Sequence, residues 1–564
     1  MAISSNLRTG GQVLIDALKI HGVDTAFCVP GESYLAALDA LHDARDQIKL
    51  VVCRQEGGAA YMAEAYGKMT GKPGICFVTR GPGASNATIG VHTAFQDSSP
   101  MILFIGQVAR DQVEREAFQE IDFRRMFGQM AKWVAEVDDA TRIPEYVSQA
   151  FHRAVNGRPG PVVLALPEDM LTDSVDVPDA GRYRPVQPSP SAAQMHDLRD
   201  RLEEAKLPFL ILGGGGWSSQ AVADIRAFAE AANLPVGCSF RCQDLFDNGH
   251  QNYAGDVGIG INPKLAERVK NTDLLIVVGA RLGEMTTSGY TLVSIPVPQQ
   301  ALVHVHSSAE ELGRVYQAAL PINAGMPEFA SMAKALGPVP ARAAWDSETK
   351  QARADYLEWT TPPKVEGPIQ MGEIMTWLEQ RLPADAILTN GAGNYATWIH
   401  RFHRYRRFRT QLAPTNGSMG YGVPAAIAAK VIAPDRMVVS FNGDGCYMMN
   451  GQELATAVQY NVPVIFVVVN NGTYGTIRMH QERAYPGRVS GTDLVNPDFV
   501  ALAKAYGAHG ELVEKTEDFV PAFERAARAG KPSLIEIRLS AEIITPRQTL
   551  SQIRAAALAA KSRP

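Results

Sequence analysis

Short, uninterrupted apolar runs recur along this chain, and each is followed by a longer stretch of helical spacing. "TAFCV", "KLVVC", "GICFVT", "MILFIG" and "PVVLALP" all fall between residues 25 and 167. A run without polar alternation suits a strand buried on both faces, and a helix between strands brings each back parallel to the last. The pattern predicts an α/β fold of doubly wound domains with mainly parallel sheets. It resumes at "PFLILGGGG" and again in "AILTN", "MVVSF", "VIFVVV" and "SLIEIR". A chain of 564 residues is too long for one core. Three domains are expected, over residues 1–175, 190–337 and 365–545, with residues 546–564 as a C-terminal tail. "DVPDAGRYRPVQPSPSA" reads as the first linker, and "LGPVPARAAWDSETKQARADYLEWTTPPKVEGP" as a second, partly helical one.

Several function classes are disfavoured. The net charge of -5 gives no reason to expect nucleic acid as a partner. One basic and aromatic stretch, "HRFHRYRRFR" at residues 400–409, is isolated and reads as a solvated face, a subunit contact or a rim that attracts carboxylates. The six cysteines are scattered, and Cys238 and Cys242 lack the second Cys/His pair of a zinc site. No segment has the length of apolar sequence that spans a membrane. The start of the chain lacks the pattern of a signal peptide, so a cytoplasmic location is expected.

Chemistry concentrates at two turns. "FNGDGCYMMN" follows the apolar run "MVVS", and "VIFVVVNNGTYG" is itself a run ending in two asparagines. Parallel sheets bind ligands beyond the carboxyl ends of their strands. Asp444 and Asn471 offer hard oxygen ligands there, of the kind Mg²⁺ takes together with phosphate oxygens. Gly443 and Gly445 allow close approach of the backbone. "NGQELATAVQY" reads as the next helix, with an N-terminus suited to phosphate.

The segment from "GDG" to "NN" resembles the thiamine-diphosphate motif, and the likeness runs over nearly the whole chain. The family implied is that of thiamine-diphosphate-dependent enzymes, in the acetohydroxyacid (acetolactate) synthase-like branch. The three units become pyrimidine-binding, central and diphosphate-binding domains. The resemblance implies Mg²⁺ held by Asp444, Asn471 and the carbonyl of Thr473. It implies that Glu56, in "VVCRQEGGAAYMAEAYGKMTG", bonds N1' of the aminopyrimidine as its acid–base partner. It places Pro82 and Asn86 of "TRGPGASN" near the cofactor, with Arg80 where the family often has a small polar residue. In "TNGSMGYGVPAAIAA" it assigns the carbonyl of Gly417 to the 4'-amino group and Met419 to the support of the bent cofactor. Cofactor ends bound on different domains imply a homodimer or homotetramer with active sites at subunit interfaces.

The substrate residues are read from the same likeness. "AFQEIDFRRMFGQMAKW" places Phe118, Gln119 and Lys132 along the site from a partner subunit, with Gln119 able to donate to a developing alkoxide. His480 stands where biosynthetic synthases carry a tryptophan, and "NYATW" replaces a Gln-His-Gln run. His480 is either a satisfied polar residue or an acid–base group. In the central unit "LGGGGWSS", "GDVGIGIN" and "GARLGEM" fall where synthases bind FAD. Arg281 is kept, but Gly283 and Met285 replace the usual acidic residue and second arginine. FAD is expected there, with ADP or nothing as alternatives. The expected activity is carboligation or decarboxylation of small 2-oxo acids. The alternatives are a lyase or hydrolase acting on 1,2-diketones or 2-hydroxy compounds, a simple 2-oxo acid decarboxylase, and, from a different class, a nucleotide-binding dehydrogenase.

Overall fold

The computed structural model describes residues 7–561, apart from the side chains of residues 340–342. Its chain divides into two compact units at Gln187/Pro188. The first holds one six-stranded sheet and the second holds two.

The first sheet consists of β1 (Thr25–Cys28), β2 (Lys49–Val52), β3 (Gly74–Val78), β4 (Met101–Gln107), β5 (Trp133–Glu136) and β6 (Pro161–Pro167). All pairs are parallel, in the order β2-β1-β3-β4-β6-β5. Strands β3, β4 and β6 are buried along their whole length, which is why they read as unbroken apolar runs. Two helices matter for the site, α1 (Glu56–Thr70) after β2 and α2 (Pro82–Asp97) after β3. Both are rich in small residues because they pack backbone to backbone. A Cβ on Gly90 of α2 would lie 2.3 Å from that of Ala60 in α1. A two-stranded antiparallel ribbon joins Arg8–Thr9 to Ser174–Val175.

The second unit begins with β7 (Pro208–Leu212), β8 (Val236–Ser239), β9 (Tyr253–Val257), β10 (Leu274–Val278), β11 (Ala301–His306) and β12 (Leu320–Asn323), ordered β9-β8-β7-β10-β11-β12. This is the order of a dinucleotide-binding sheet, with its switch point between β7 and β10. The last sheet has β13 (Ile387–Asn390), β14 (Gln411–Leu412), β15 (Val438–Gly443), β16 (Ile465–Asn470), β17 (His509–Val513) and β18 (Ser533–Arg538). Its order, β14-β13-β15-β16-β18-β17, repeats that of the first sheet. Helices α3 (Ala396–Phe402), α4 (Asp444–Asn450), α5 (Gly475–Ala484) and α6 (Leu550–Lys561) surround its carboxyl edge or pack nearby.

Two expectations need correction. The described part of the expected tail, residues 546–561, is not plain, because α6 seats Leu550 and Ile553 against Met479 of α5 and Ile544. The helix after the GDG turn starts at Asp444 rather than near Asn450. It tightens into a 3₁₀ turn at Gly451–Glu453 and resumes at Leu454.

Candidate active site

In the last sheet the chain runs from β13 outward to β14 and then across to β15, so the switch point lies between β13 and β15. Ligands of such sheets sit in the crevice outside the strands at that point. A cleft with about 850 Å³ of empty volume opens there, and Asp444, Asn471, Gly417, Met419 and Asn394 are among the residues that line it. Adjacent strands β15 and β16, in parallel register, deliver Asp444 and Asn471 to one edge.

Asp444 is the first residue of α4 and its carboxylate is buried. Oδ2 accepts from the Gly472 amide at 2.8 Å and from Asn496 Nδ2 at 2.7 Å. No lysine or arginine pairs with it among the described residues. Burial raises its carboxyl above the ordinary range, and hydrogen bonds from Gly445, Asn496 and Gly472 only partly offset this. Asn471 Oδ1 accepts from the Thr473 amide at 3.3 Å, the Thr473 hydroxyl donates to the Thr492 carbonyl, and the Thr473 carbonyl accepts from the Gly475 amide at 2.8 Å with its second lone pair left for a cation. Gly417 has φ 70, and a Cβ there would meet nothing within 4 Å. It is a left-handed position beside open space.

Three family models cover most of the chain. The N-terminal TPP binding domain of thiamine pyrophosphate enzymes matches residues 8–126, the central domain 195–332, and the C-terminal TPP binding domain 391–537. The chain belongs to the thiamine pyrophosphate enzyme family. It is 33% identical over 551 residues to the acetolactate synthase large subunit of Parasynechococcus marenigrum, covering 94% of this chain and 87% of that one. Against the large subunit of Corynebacterium glutamicum it is 32% identical, covering 92% and 84%. Against the isozyme 2 large subunit of Escherichia coli it is 30% identical, covering 94% and 95%. The enzyme is thus thiamine-pyrophosphate-dependent and acetolactate-synthase-like.

The cleft suits the metal–pyrophosphate end of that cofactor. A buried carboxylate without a counter-charge is costly and calls for a cation. The metal ligands on offer in the same cleft, the Asp444 carboxylate, the Asn471 side-chain carbonyl and the Thr473 carbonyl, are oxygens, which suits Mg²⁺. Asn496 was missed by sequence reasoning. Its amide bridges Asp444 Oδ2 and Asn470 Oδ1, the latter at 2.9 Å, and so orients the carboxylate. The Asn-Pro pair at 496–497 signals a turn but not the partner that turn reaches.

In the first unit the carboxyl ends of β2 and β3 bring Glu56, Pro82 and Asn86 together. Asn86 Nδ2 donates to Glu56 Oε2 at 2.9 Å. Arg80, at the switch point, is buried and structural. It donates from Nε to the Phe118 carbonyl at 3.0 Å, and it pairs with Glu168 at 2.8 Å and Glu32 at 3.5 Å. Gly81 has φ 45, and a Cβ on it would lie 2.8 Å from the Gln119 carbonyl oxygen. The loop carrying Phe118 and Gln119 is thereby clamped. Gln119 is held at φ 65, and Glu120 accepts from the amides of Glu114 and Ala117.

Lys132 does not join this group. It precedes β5 at the opposite, N-terminal edge of the sheet, and Nζ donates to the carbonyls of Asn156 at 2.8 Å and Arg158 at 2.7 Å. Burial and the nearby arginines push its ammonium down to about 8. His480 is exposed on α5 and does not line this cleft, whereas Thr476 of that helix does. Arg281 follows β10 at the central switch point. The glycine run there is partly consumed by packing, since a Cβ on Gly214 would lie 2.0 Å from the Gly279 carbonyl oxygen. Of the basic stretch, His403 is buried and His400 half-buried, and desolvation drives both down to about 3, so they are neutral. The stretch is part core, not only a solvated face.

Proposed function

We propose that this enzyme joins small 2-oxo acids to a second carbonyl compound, with loss of CO₂, as a carboligase. The observation that carries this reading is the buried, uncompensated Asp444 beside Asn471 at the switch point of the last sheet. Bound thiamine pyrophosphate supplies a carbon nucleophile and a sink for the charge left by decarboxylation.

The residues of the chain then have distinct tasks. Asp444, Asn471 and the Thr473 carbonyl hold Mg²⁺ and through it the pyrophosphate, while Gly443 and Gly445 let the backbone come close. Gly417 receives the 4'-amino group, and Met419 supports the bent shape. Glu56, oriented by Asn86, exchanges a proton at N1'. Pro82 begins α2 beside them. Gln119, fixed by the Arg80 clamp, donates to the alkoxide formed at the acceptor, with Phe118 packing beside it. Stabilising that alkoxide is assigned to Gln119 rather than to the exposed His480, and Lys132 is placed in support of the fold. FAD would take the crevice between β7 and β10, near Arg281, whose strand order supports a dinucleotide ligand. A homodimer or homotetramer supplies both ends of the cofactor.

A product screen tests the reading. Purified enzyme with pyruvate alone, and with added 2-oxo acids or aldehydes, should release CO₂ and a 2-hydroxy-3-oxo product. Faster cleavage of 1,2-diketones, or aldehyde as the sole product, would replace ligation by the corresponding lyase, hydrolase or decarboxylase.

A further inference from the structure

The middle of one face of the last sheet carries an acid among apolar neighbours. Glu536 of β18 is buried, and so are Leu534 before it and Phe466 and Val468 on the adjoining strand β16. The parallel register sets Val468 beside Glu536 and Asn470 beside Arg538. Side chains alternate along a strand, so Asn470 and Glu536 lie on the same face. Glu536 Oε1 accepts from Asn470 Nδ2 at 2.8 Å and from Arg538 Nε at 3.4 Å. Its Oε2 is buried with no hydrogen-bond partner. Arg538 is exposed and pairs more closely with Glu514, at 2.8 Å. The closest tie of Glu536 is therefore to one asparagine. A buried acid with one oxygen left unbonded is a costly way to fill a sheet, where an apolar side chain of similar volume is often neutral or stabilising. Packing does not account for it.

Asn470 leads to the cleft. It ends β16 beside Asn471, and its Oδ1 accepts from the Gly472 amide at 3.2 Å and from Asn496 Nδ2 at 2.9 Å. The same two groups donate to Asp444 Oδ2, Gly472 at 2.8 Å and Asn496 at 2.7 Å. Asn470, Gly472, Asp444 and Asn496 thus close a ring in which two donors alternate with two acceptors. Both of these bonds to the carboxylate fall on one oxygen, so they fix its rotation as well as its place.

The ring closes in one sense only. Asn470 must turn its oxygen inward, because its amide reversed would set N–H groups against two other donors. Oxygen inward means nitrogen outward, and a half-buried amide nitrogen needs an acceptor. Glu536 Oε1 is that acceptor, and an ionised carboxylate has no hydrogen with which to accommodate the reversed amide.

We propose that Glu536 is a positioning residue for the metal site, acting through Asn470 and Asn496 to fix the Asp444 carboxylate. The role rests on the reading of Asp444 as a metal ligand and deepens it.

Isothermal titration of thiamine pyrophosphate into the full-length enzyme at fixed Mg²⁺ tests the chain of bonds. Glu536→Leu should weaken binding about tenfold, at the lower end of what residues that orient a metal ligand are worth. Glu536→Gln keeps an acceptor for Asn470 and should recover most of that loss. The decisive measurement is additivity. In an Asn496→Ala background Glu536→Leu should add little, because the link it acts through is already cut. An acid that served the fold alone would add its effect in full and show it chiefly in the melting temperature of the metal-free protein. Should the bare Asn470 amide keep Glu536→Leu from folding, Asn470→Leu combined with Glu536→Leu removes both partners. That pair should fold and lose at least about tenfold in affinity. Wild-type affinity in the folded variants would overturn the proposal. Full additivity with Asn496→Ala would overturn it too, as would a loss in Glu536→Gln equal to that in Glu536→Leu. Asp444→Ala, titrated alongside, separates the two levels. Wild-type affinity there strikes the metal reading itself, whereas a loss there with no effect at Glu536 strikes the proposed chain alone.

Discussion

At the switch point of the first sheet Arg80 meets Glu168 and Glu32, and Glu56 takes the amide of Asn86. At the equivalent point of the third sheet, which has the same strand order, Asp444 meets only amides. The charge of Arg80 is thus settled within the protein on the first sheet, while that of Asp444 is left open on the third. The difference teaches what each region is built to receive. A neutral ring system needs positioned hydrogen-bonding groups with their shape already set. A pyrophosphate with its metal needs a site where a negative charge stands ready and uncompensated. One topology supports both because the strands fix only where the loops emerge, and the loop residues fix the electrostatics.

The largest effect should come from the open side. Asp444→Ala should weaken Mg²⁺-dependent binding of thiamine pyrophosphate by more than about 100-fold, since even groups that merely orient a ligand are worth about 10–100-fold. Asn496→Ala should fall within that lower range, and isothermal titration measures both. Near wild-type affinity in Asp444→Ala would remove it from the metal set. The metal-free protein should respond in the opposite direction to Asp444→Asn. Burial raises the Asp444 carboxyl in the folded state, so the folded chain holds that proton more tightly than the unfolded chain. Its contribution to stability is complete below the unfolded value and is lost as pH rises through the folded one. At neutral pH Asp444→Asn should therefore melt no lower than wild type without metal, and the gap should shrink as pH falls.

The settled side should respond in rate instead of affinity. Glu56→Gln should keep the fold and the cofactor, because an acid at a helix start contributes only about 0.3–1 kcal/mol through the dipole. Exchange of the C2 proton of bound cofactor for deuterium, followed by NMR after acid quench, should slow about 10²–10⁴-fold. Equal exchange rates in wild type and variant would move the activating acid elsewhere and undo the contrast.

The smallest effect on turnover, and the finest test, concerns the clamp. Arg80→Met removes charge-assisted hydrogen bonds to Glu168 and the Phe118 carbonyl and should cost about 1.5–3 kcal/mol of stability. It should also shift the ratio of ligated product to released aldehyde in the same direction as Gln119→Ala, with cofactor affinity unchanged. A destabilised variant with a wild-type product ratio would leave Arg80 as a fold residue alone.

Much of this was legible in the sequence, and the physical reasons are specific. Strands buried on both faces, such as β4 and β16, announce themselves as unbroken apolar runs. The edge strands β5 and β17 do not, because half-exposed "WVAE" and "HGELV" lack that signature. Asp444, Asn471 and Glu56 were found because each sits at the end of a recognisable strand. Asn496 and the carbonyl partners of Lys132 were hidden. Their partners lie far away in sequence, and no local pattern records which carbonyl or ring a side chain will meet. Arg80 was seen as a departure from the family, yet its two glutamates lie 48 residues before it and 88 after it.

Helix α6 has a consequence for how the enzyme is made. Glu482 of α5 is buried, takes two hydrogen bonds from Arg554 and also pairs with Arg478, and its carboxyl is held down to about 2, chiefly by Arg554. That link fastens α6 to α5, and the segment before α6 supplies Ile543 and Ile544 to the wall of the first cleft. All three sheets are complete by Arg538. A ribosome therefore finishes every sheet before Leu539, Ile543 and Ile544 close one side of the first cleft and before α6 is made. Nascent chains stalled before Leu550 would carry all three sheets and still lack the partners that bury Met479 and Ile544.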